Sequence, residues 1–342
     1  MDQLINARVE IERCPWLPPT IKELLYSQSV AVNTLFTGVD EGKLIDKIHH
    51  AGLPIAQVSY AHEVPPHFTR KGQYETPSTM DLNLGKDTVD ITQPGLYGFI
   101  RHPNSTFTLV MFIRGQVIDL TSTGRPRIDP KGEYIRGTFD QYRRFTQAFA
   151  RLGEKKPILR IVGALPGVAQ RHFEKGRLLG YEEEIKMMRE NNRNSARFVI
   201  EATRQTLQRF GLTDSDLILL GSSGTLGKEV AAHFENAEKL DIGPKDQLRK
   251  PGIHLVLDMT GGGSFEYYSD RINRETTWLN ESFPPPLRTA ISSPLGPGKI
   301  LHIQGVEGQI VPSFPYGYGD IPPCCMGNDK QDASTVRIME MN

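Results

Sequence analysis

The stretch "DLILLGSSGTLGKEVAAHF", Asp216 to Phe234, decides how this chain is read. An apolar run from Leu217 to Leu220 enters a loop with glycines at 221, 224 and 227, and a helix-forming segment follows. Glycine allows a tight turn and a close backbone approach, and the first N–H groups of a helix lack partners. A strand, a glycine turn and a helix in that order therefore present backbone donors to an anion. Three answers are open: the pyrophosphate of a dinucleotide, the triphosphate of ATP, or a packing turn that holds nothing.

The surrounding pattern supports an open α/β sheet. "GIHLVLDMTGGGSF" and "KILHIQGVEG" repeat the sequence of apolar run and glycine-rich turn. Three such strands predict a parallel sheet whose ligand edge lies at the strands' carboxyl ends. Upstream, "YEEEIKMMRENN" and "NSARFVIEATRQTLQRFG" predict two helices. In the second, Val199, Ala202, Thr206 and Phe210 share one face, and Gly211 ends the run. A boundary is expected near Gly211.

The first half reads as mixed α and β. "SVAVNTLFTG", Ser29 to Gly38, predicts a strand; "DEGKLIDKIHHAG" a helix capped by Asp40 and stopped by Gly52; "LPIAQVSYAHE" a second strand. "STFTLVMFIRGQVIDLTST", Ser105 to Thr123, predicts a hairpin turning at Arg114-Gly115. "FDQYRRFTQAFARLG" predicts a helix and "KPILRIVGALPG" a strand running into a turn. Residues 327–342 read as a disordered polar tail.

The loop fits the dinucleotide pattern GxxGxxG, with Ser222, Ser223 and Thr225 as extra donors. A P-loop, GxxxxGK[ST], fits less well. Gly227-Lys228 supplies its GK, but Ser222 replaces the first glycine and Glu229 stands where a hydroxyl should meet magnesium. "VLDMTGGGSF", Val256 to Phe265, is similar to the acidic glycine-rich motif of S-adenosylmethionine-dependent methyltransferases. Only about eighty residues follow it, too few for the rest of such a sheet. It suits a later strand of the same nucleotide-binding unit.

The predicted connector helix, the GxxGxxG turn and the later "DMTGGG" turn resemble the two-domain dehydrogenases of the shikimate dehydrogenase and amino-acid-dehydrogenase-like group. Long-chain acyl-carrier-protein reductases have a similar late glycine loop. The resemblance spans Ser195 to Gly308, and the group's catalytic lysine and aspartate have no match in the first half. It implies a mixed α/β substrate domain over 1–210 and a Rossmann-like dinucleotide-binding domain over 211–326, with chemistry in the cleft between them. The cofactor would meet Gly221, Ser222, Ser223, Gly224, Thr225, Leu226 and Gly227, and on its other side Met259, Thr260 and Gly261. Asp241 comes early for the carboxylate that binds the ribose of NAD, whereas Lys245, Arg249 and Lys250 stand near the distance suited to a 2′-phosphate. NADP(H) is expected, with NAD(H) as the alternative.

Composition narrows the class. The chain has 342 residues with 40 Lys and Arg against 40 Asp and Glu, which argues against nucleic acid as the main partner. No apolar run approaches the ~18 residues of a membrane span, and the chain opens without a signal-like segment. Cys14, Cys324 and Cys325 suit a reduced, cytoplasmic protein. Acid–base candidates are His62, Lys71 and His102, of which the first two lie in the loop "YAHEVPPHFTRKGQYE". Pro65-Pro66 breaks any helix that could align His62 and His67 on a metal, so no metal is expected. The segments 125–129 and 316–325 are further places for a catalytic group. The expected function is hydride transfer to or from a small carbonyl, imine or thioester substrate. A nucleotide-binding sensor without redox chemistry, or an S-adenosylmethionine- or ATP-dependent transferase, is the alternative. A homo-oligomer is left open.

Overall fold

A computed structural model describes residues 2–32, 38–62, 67–68, 74–75, 94–113, 118–120, 126–128, 132–163, 165–248, 252–260, 264–270, 272, 274–281, 298–314 and 319–341. The chain is α/β, with two parallel-rich mixed sheets as its framework. Helices α1 (Asp2–Arg13), α2 (Pro19–Gln28) and α3 (Glu41–His50) come first. Strands β1 (Ile55–His62), β2 (His67–Phe68), β3 (Tyr74–Glu75), β4 (Gly95–Arg101), β5 (Phe107–Ile113), β6 (Ile118–Leu120) and β7 (Pro126–Ile128) follow. Next are α4 (Glu133–Arg151), β8 (Ile158–Ile161), α5 (Leu165–Glu174) and the long α6 (Glu182–Phe210). The remainder holds β9 (Leu217–Leu220), α7 (Thr225–Ala231), β10 (Glu238–Leu240), β11 (Leu255–Asp258), α8 (Ser264–Tyr268), β12 (Thr277–Asn280), β13 (Lys299–Gly305), β14 (Gln309–Val311) and β15 (Arg337–Glu340).

The second sheet has the order β10-β9-β11-β12-β13-β15, parallel except for β15. Its strands are apolar on both faces because both are covered. Leu217, Leu219, Leu255 and Leu257 pack with Phe198, Val199 and Val230, while Ile218, Leu220, Val256 and Trp278 pack with Phe265 and Tyr268. Continuous apolar runs are what a parallel sheet buried on two sides requires. In the sequence the segment "AEKLDIGPKDQLRK" that holds β10 reads as an awkward second strand, and β12 goes unread. The first is only three residues long and partly polar, and "TWLN" is short.

The first sheet has the order β14-β4-β5-β1-β8. Strands β5, β1 and β8 are parallel; β4 and β14 are antiparallel. Val58, Tyr60, Leu159 and Ile161 join the core that contains Phe139, Tyr142 and Phe145 of α4. Gln57, Ser59 and Arg160 alternate with them and are buried too. Period-two alternation therefore gives this sheet a buried polar face.

That face is covered by the chain's last segment. Arg160 Nε donates to Gln57 Oε1 at 2.8 Å and its Nη1 to the Cys325 carbonyl at 3.3 Å, while Nη2 pairs with Asp329. Gln57 Nε2 donates to the Met326 carbonyl at 3.2 Å. Asn328 and Gln331 are buried, and β15 closes the second sheet. The expected disordered tail is thus ordered structure. Within it Asp329 pairs with Arg160, Asn328 Nδ2 donates to Thr106 Oγ1 at 3.1 Å and Gln331 Nε2 donates to the Glu307 carbonyl at 2.8 Å.

Three other expectations change. Residues 29–32 are a turn, not a strand, with Val30 N bonded to the Leu96 carbonyl at 2.8 Å; residues 33–37 lie outside the described set. The β-branched run signals burial there, not extension. The hairpin is β4–β5 across the 102–106 turn, while β6 pairs with β7. Asn104 Oδ1 accepts from Thr106 N and Oγ1, which builds that turn. The two expected helices are one 29-residue helix, α6, about 43 Å long. Its central asparagines find partners outside it: Asn192 Nδ2 donates to Thr225 O at 3.0 Å and Asn194 Nδ2 to Gly327 O at 3.3 Å. Gly211, in the left-handed conformation, ends it as expected. Ile185 and Met188 of α6 belong to the first core, and Phe198, Val199 and Ala202 to that of the second sheet. No helix among the described residues is long and apolar enough to cross a membrane.

Removing one partner of a buried ion pair costs about 3–5 kcal/mol. Arg160→Ala should lower unfolding stability by that order. Asp329→Asn should cost a comparable amount, because it leaves a guanidinium with no exposure without its counter-charge, whereas Asp329 itself is 36% exposed. Denaturant unfolding of both variants checks this, and losses below about 1 kcal/mol, the range of an exposed pair, would mean that the guanidinium does not anchor the segment.

Candidate functional site

Strand β9 has β10 on one side and β11 on the other, and the chain visits them in turn. The sheet's direction of winding reverses between β9 and β11, and at such a point the two following loops separate into a crevice. Here those loops are 221–224 and the turn that opens at Met259. They touch at their bases: a Cβ on Gly221 would lie 3.0 Å from the backbone of Met259. Gly221 also has φ +89°, a conformation open to glycine.

The three loop glycines differ in what requires them. A Cβ on Gly227 would lie 2.1 Å from the Gly221 carbonyl, so α7 can pack on β9 only with glycine there. Gly224 has φ −64° and ψ 167° and is exposed, and a Cβ there would meet only the Gly221 carbonyl, at 3.3 Å. It sits at the N-cap of α7, where Ser, Thr, Asp or Asn would bond the helix end better. The fold asks less of that glycine than of the other two: a Cβ there would require the Gly221 carbonyl to give by a few tenths of an ångström. Ser223 is exposed as well, and its N–H donates to Asp241 Oδ1 at 3.1 Å. Asp241 immediately follows β10, so a carboxylate stands at the end of the neighbouring strand, beside the loop.

Glu229, at the P-loop's hydroxyl position, pairs with Arg193 of α6 at 3.7 Å. The "DMTGGG" turn follows β11, which is not the first strand of its sheet, as the methyltransferase motif would require. Asp258, at the end of β11, is fully buried. It accepts from Thr260 N at 3.1 Å, from Thr260 Oγ1 at 2.7 Å and from Ser264 Oγ.

The first sheet brings its own carboxyl edge to this place. Gly163 follows β8, and its backbone N–H lies near the Cys325 thiol, where it favours the thiolate. A Cβ on Gly167 of α5 would lie 3.2 Å from Thr225 Oγ1, beside the glycine loop. Strand β2, beyond the end of β1, packs against α8. Between the edges lie Glu281, Cys324 and Cys325. Glu281 follows β12, its N–H donates to the Asp258 carbonyl at 2.9 Å, and Cys324 Sγ lies 4.0 Å from its Oε1. Surrounding protein, and then Asp258, push the Glu281 carboxyl up to about 8. Burial, and then Glu281, raise both thiols, Cys325 to about 12. The cysteines stay protonated at neutral pH and are weak nucleophiles.

The sequence candidates are distributed as follows. Gly221 to Gly227 form the loop after β9 and the start of α7, with Gly227 buried, and Met259 and Thr260 open the turn after β11. Gly261, Arg249 and Lys71 lie outside the described residues, as do the side chains of Lys245 and His62; Lys245 opens a short helical turn after β10. The backbone of His62 ends β1, opposite Ile113, on the carboxyl edge. His102 lies at the other end of that sheet, in the turn before β5. It is buried, its Nε2 meets Thr108 Oγ1 at 2.6 Å and Gln57 Nε2 at 3.1 Å, and burial, then Arg160, lower its pKa to about 4. It is a neutral core histidine that the fold keeps apart from His62. Glu281 was missed: its one signal is a carboxylate directly after a short apolar run. Among the described residues, no cluster of three His, Cys, Asp or Glu could hold a metal. No protein-family model and no curated protein matches the chain.

Glu281 makes stability depend on pH. An unfolded glutamate releases its proton near ~4.3. The folded one keeps it up to about 8. The native state binds more protons between those values, so this contribution is present at low pH and is lost as pH rises through the interval. Wild type should therefore lose melting temperature relative to Glu281→Gln between about pH 5 and pH 8. Parallel curves would place Glu281 in water.

Proposed function

We propose that the chain is a nicotinamide-dinucleotide-dependent oxidoreductase acting on a small carbonyl, imine or thioester compound between the carboxyl edges of its two sheets. The observation that carries this reading is the exposed Gly224 at the reversal point of the second sheet, with Asp241 at the end of the next strand. In this reading the second sheet is a Rossmann-like nucleotide-binding domain and the first sheet belongs to the substrate domain. Glycine 221 makes the tight turn, glycine 227 allows the helix to pack, and glycine 224 leaves room for a pyrophosphate. The resemblance to the shikimate dehydrogenase and amino-acid-dehydrogenase-like group points the same way.

Asp241 bears on the cofactor's ribose. A carboxylate at the end of the second strand accepts from ribose hydroxyls and repels a 2′-phosphate. Its place beside Ser223 favours NAD(H), although the spacing of Lys245 and Arg249 in sequence suggests NADP(H). When bound, the nicotinamide would supply or accept hydride. The chain would hold the dinucleotide with the loop and Asp241, and Met259 and Thr260 would limit where it can lie.

Titration calorimetry with NADH, NADPH, ATP and S-adenosylmethionine tests this. NADH should bind, NADPH more weakly, and the other two not at all. Gly224→Asp should abolish NADH binding while the melting temperature is kept, because the added carboxylate faces the phosphates. Asp241→Asn should weaken NADH about tenfold, the loss of roughly one charge-assisted hydrogen bond, and narrow its advantage over NADPH. Binding of ATP or S-adenosylmethionine alone would replace the redox reading with a transferase or sensor.

A further inference from the structure

The place of Glu281 gives it a role, which rests on the dinucleotide reading above. Asp241 marks one end of the ligand edge and the glycine loop its middle. The sheet order carries that edge on to β11 and β12. Adjacent strands are ~4.8 Å apart, so the end of β12 stands about 10 Å beyond the loop, on the side away from Asp241. Glu281 occupies that end. Across from it is the carboxyl edge of β8, linked through Cys325 and Gly163.

We propose that Glu281 is the proton-exchanging residue of the site, its carboxyl set against the nicotinamide end of the bound dinucleotide and the carbonyl oxygen of the substrate. In the reducing direction a bound reduced dinucleotide would supply hydride to the carbonyl carbon and be left oxidised, and the C=O π pair would move to oxygen. The Glu281 O–H bond breaks as the product O–H bond forms. Glu281 is left as a carboxylate and regains a proton from water. In the oxidising direction the carboxylate accepts that proton.

The surroundings suit the role. Asp258 faces Glu281 from β11, and Cys324 and Cys325 face it from the turn at 324–326. Burial and Glu281 itself keep the thiols protonated, so they add no charge. On β13, His302 is buried against Asn280, and burial lowers its pKa to about 4, leaving it neutral. Arg160 lies behind Cys325 and is bonded to Asp329. Glu281 therefore carries its proton at neutral pH, as a donor must.

Oxidised nicotinamide is a cation and the reduced ring is neutral. A cation beside Glu281 favours its carboxylate. Binding of the oxidised form near neutral pH should therefore expel a proton that binding of the reduced form does not. Calorimetry in buffers of different ionisation heat counts those protons for NAD+ and NADH, and for NADP+ and NADPH. Wild type should release most of one extra proton with the oxidised form. Its affinity should rise up to about tenfold per pH unit below pH 8, while the reduced form stays flat. Glu281→Gln should bind both forms and release no excess proton. Glu281→Asp should keep the release with a displaced pH profile, which covers the case in which the glutamine variant does not fold.

Equal proton counts for the two forms in wild type, or an excess that persists in Glu281→Gln, would overturn the role of Glu281 and leave dinucleotide binding standing. Failure of wild type to bind any of the four would overturn both readings.

Discussion

A guanidinium with no access to water must find its partners within the fold, and Arg160 sets much of this architecture. It lies on the buried polar face of the first sheet, in its edge strand β8. Its partners come from β1 and from residues 325 and 329, far along the chain. The segment after β13 therefore has to return across the first sheet before β15 joins the second. That return lays the 324–326 turn between the two carboxyl edges. Helix α6, shared by the cores on both sides, fixes the spacing the segment has to bridge.

The glycine loop is constrained from two directions. Packing of α7 on β9 requires Gly227, and the turn itself requires Gly221. Both would be needed in a sheet that bound nothing. Gly224 is different, because its backbone is ordinary and it is exposed. A residue that could cap α7 has been left as a glycine that cannot. Steric need inside the fold is strict at the first and third glycines and milder at the second, where a Cβ would press on the Gly221 carbonyl at 3.3 Å.

Long apolar strands and well-stopped helices were legible in the sequence: β9, β11, the start of β13, α3 with its Asp40 cap, and the end of α6 at Gly211. Burial on both faces makes such strands continuous runs, and caps are local chemistry. Strands whose identity depends on their neighbours were hidden. Glu238–Leu240 is extended because β9 offers it a ladder, and Arg337–Glu340 because β13 does. Turn pairings were misread where both partners were apolar: Phe107–Ile113 pairs with strands before it in the chain, not after it. Most of the crevice was legible because glycine spacing is local. The neighbours of Glu281 were not, since Asp258, Cys324 and Gly163 meet it only through tertiary structure.

The carboxyl edge of the second sheet then divides its acids by environment. Asp258 is buried yet accepts three hydrogen bonds from Thr260 and Ser264, an arrangement that suits a carboxylate. Glu281, one strand away, has a thiol beside it and Asp258 behind it. Desolvation first, and then Asp258, raise the carboxyl of the half-buried Glu281. Glu281 is left with the proton and Asp258 with a structural task, holding the turn after β11. The same division explains the inert cysteines. Burial, and then Glu281, disfavour a thiolate there and outweigh the nearby N–H groups of Gly163, Cys324 and Cys325 and the charge of Arg160. In the proposed reaction proton exchange at this edge falls to Glu281, and the two protonated thiols beside it add no charge.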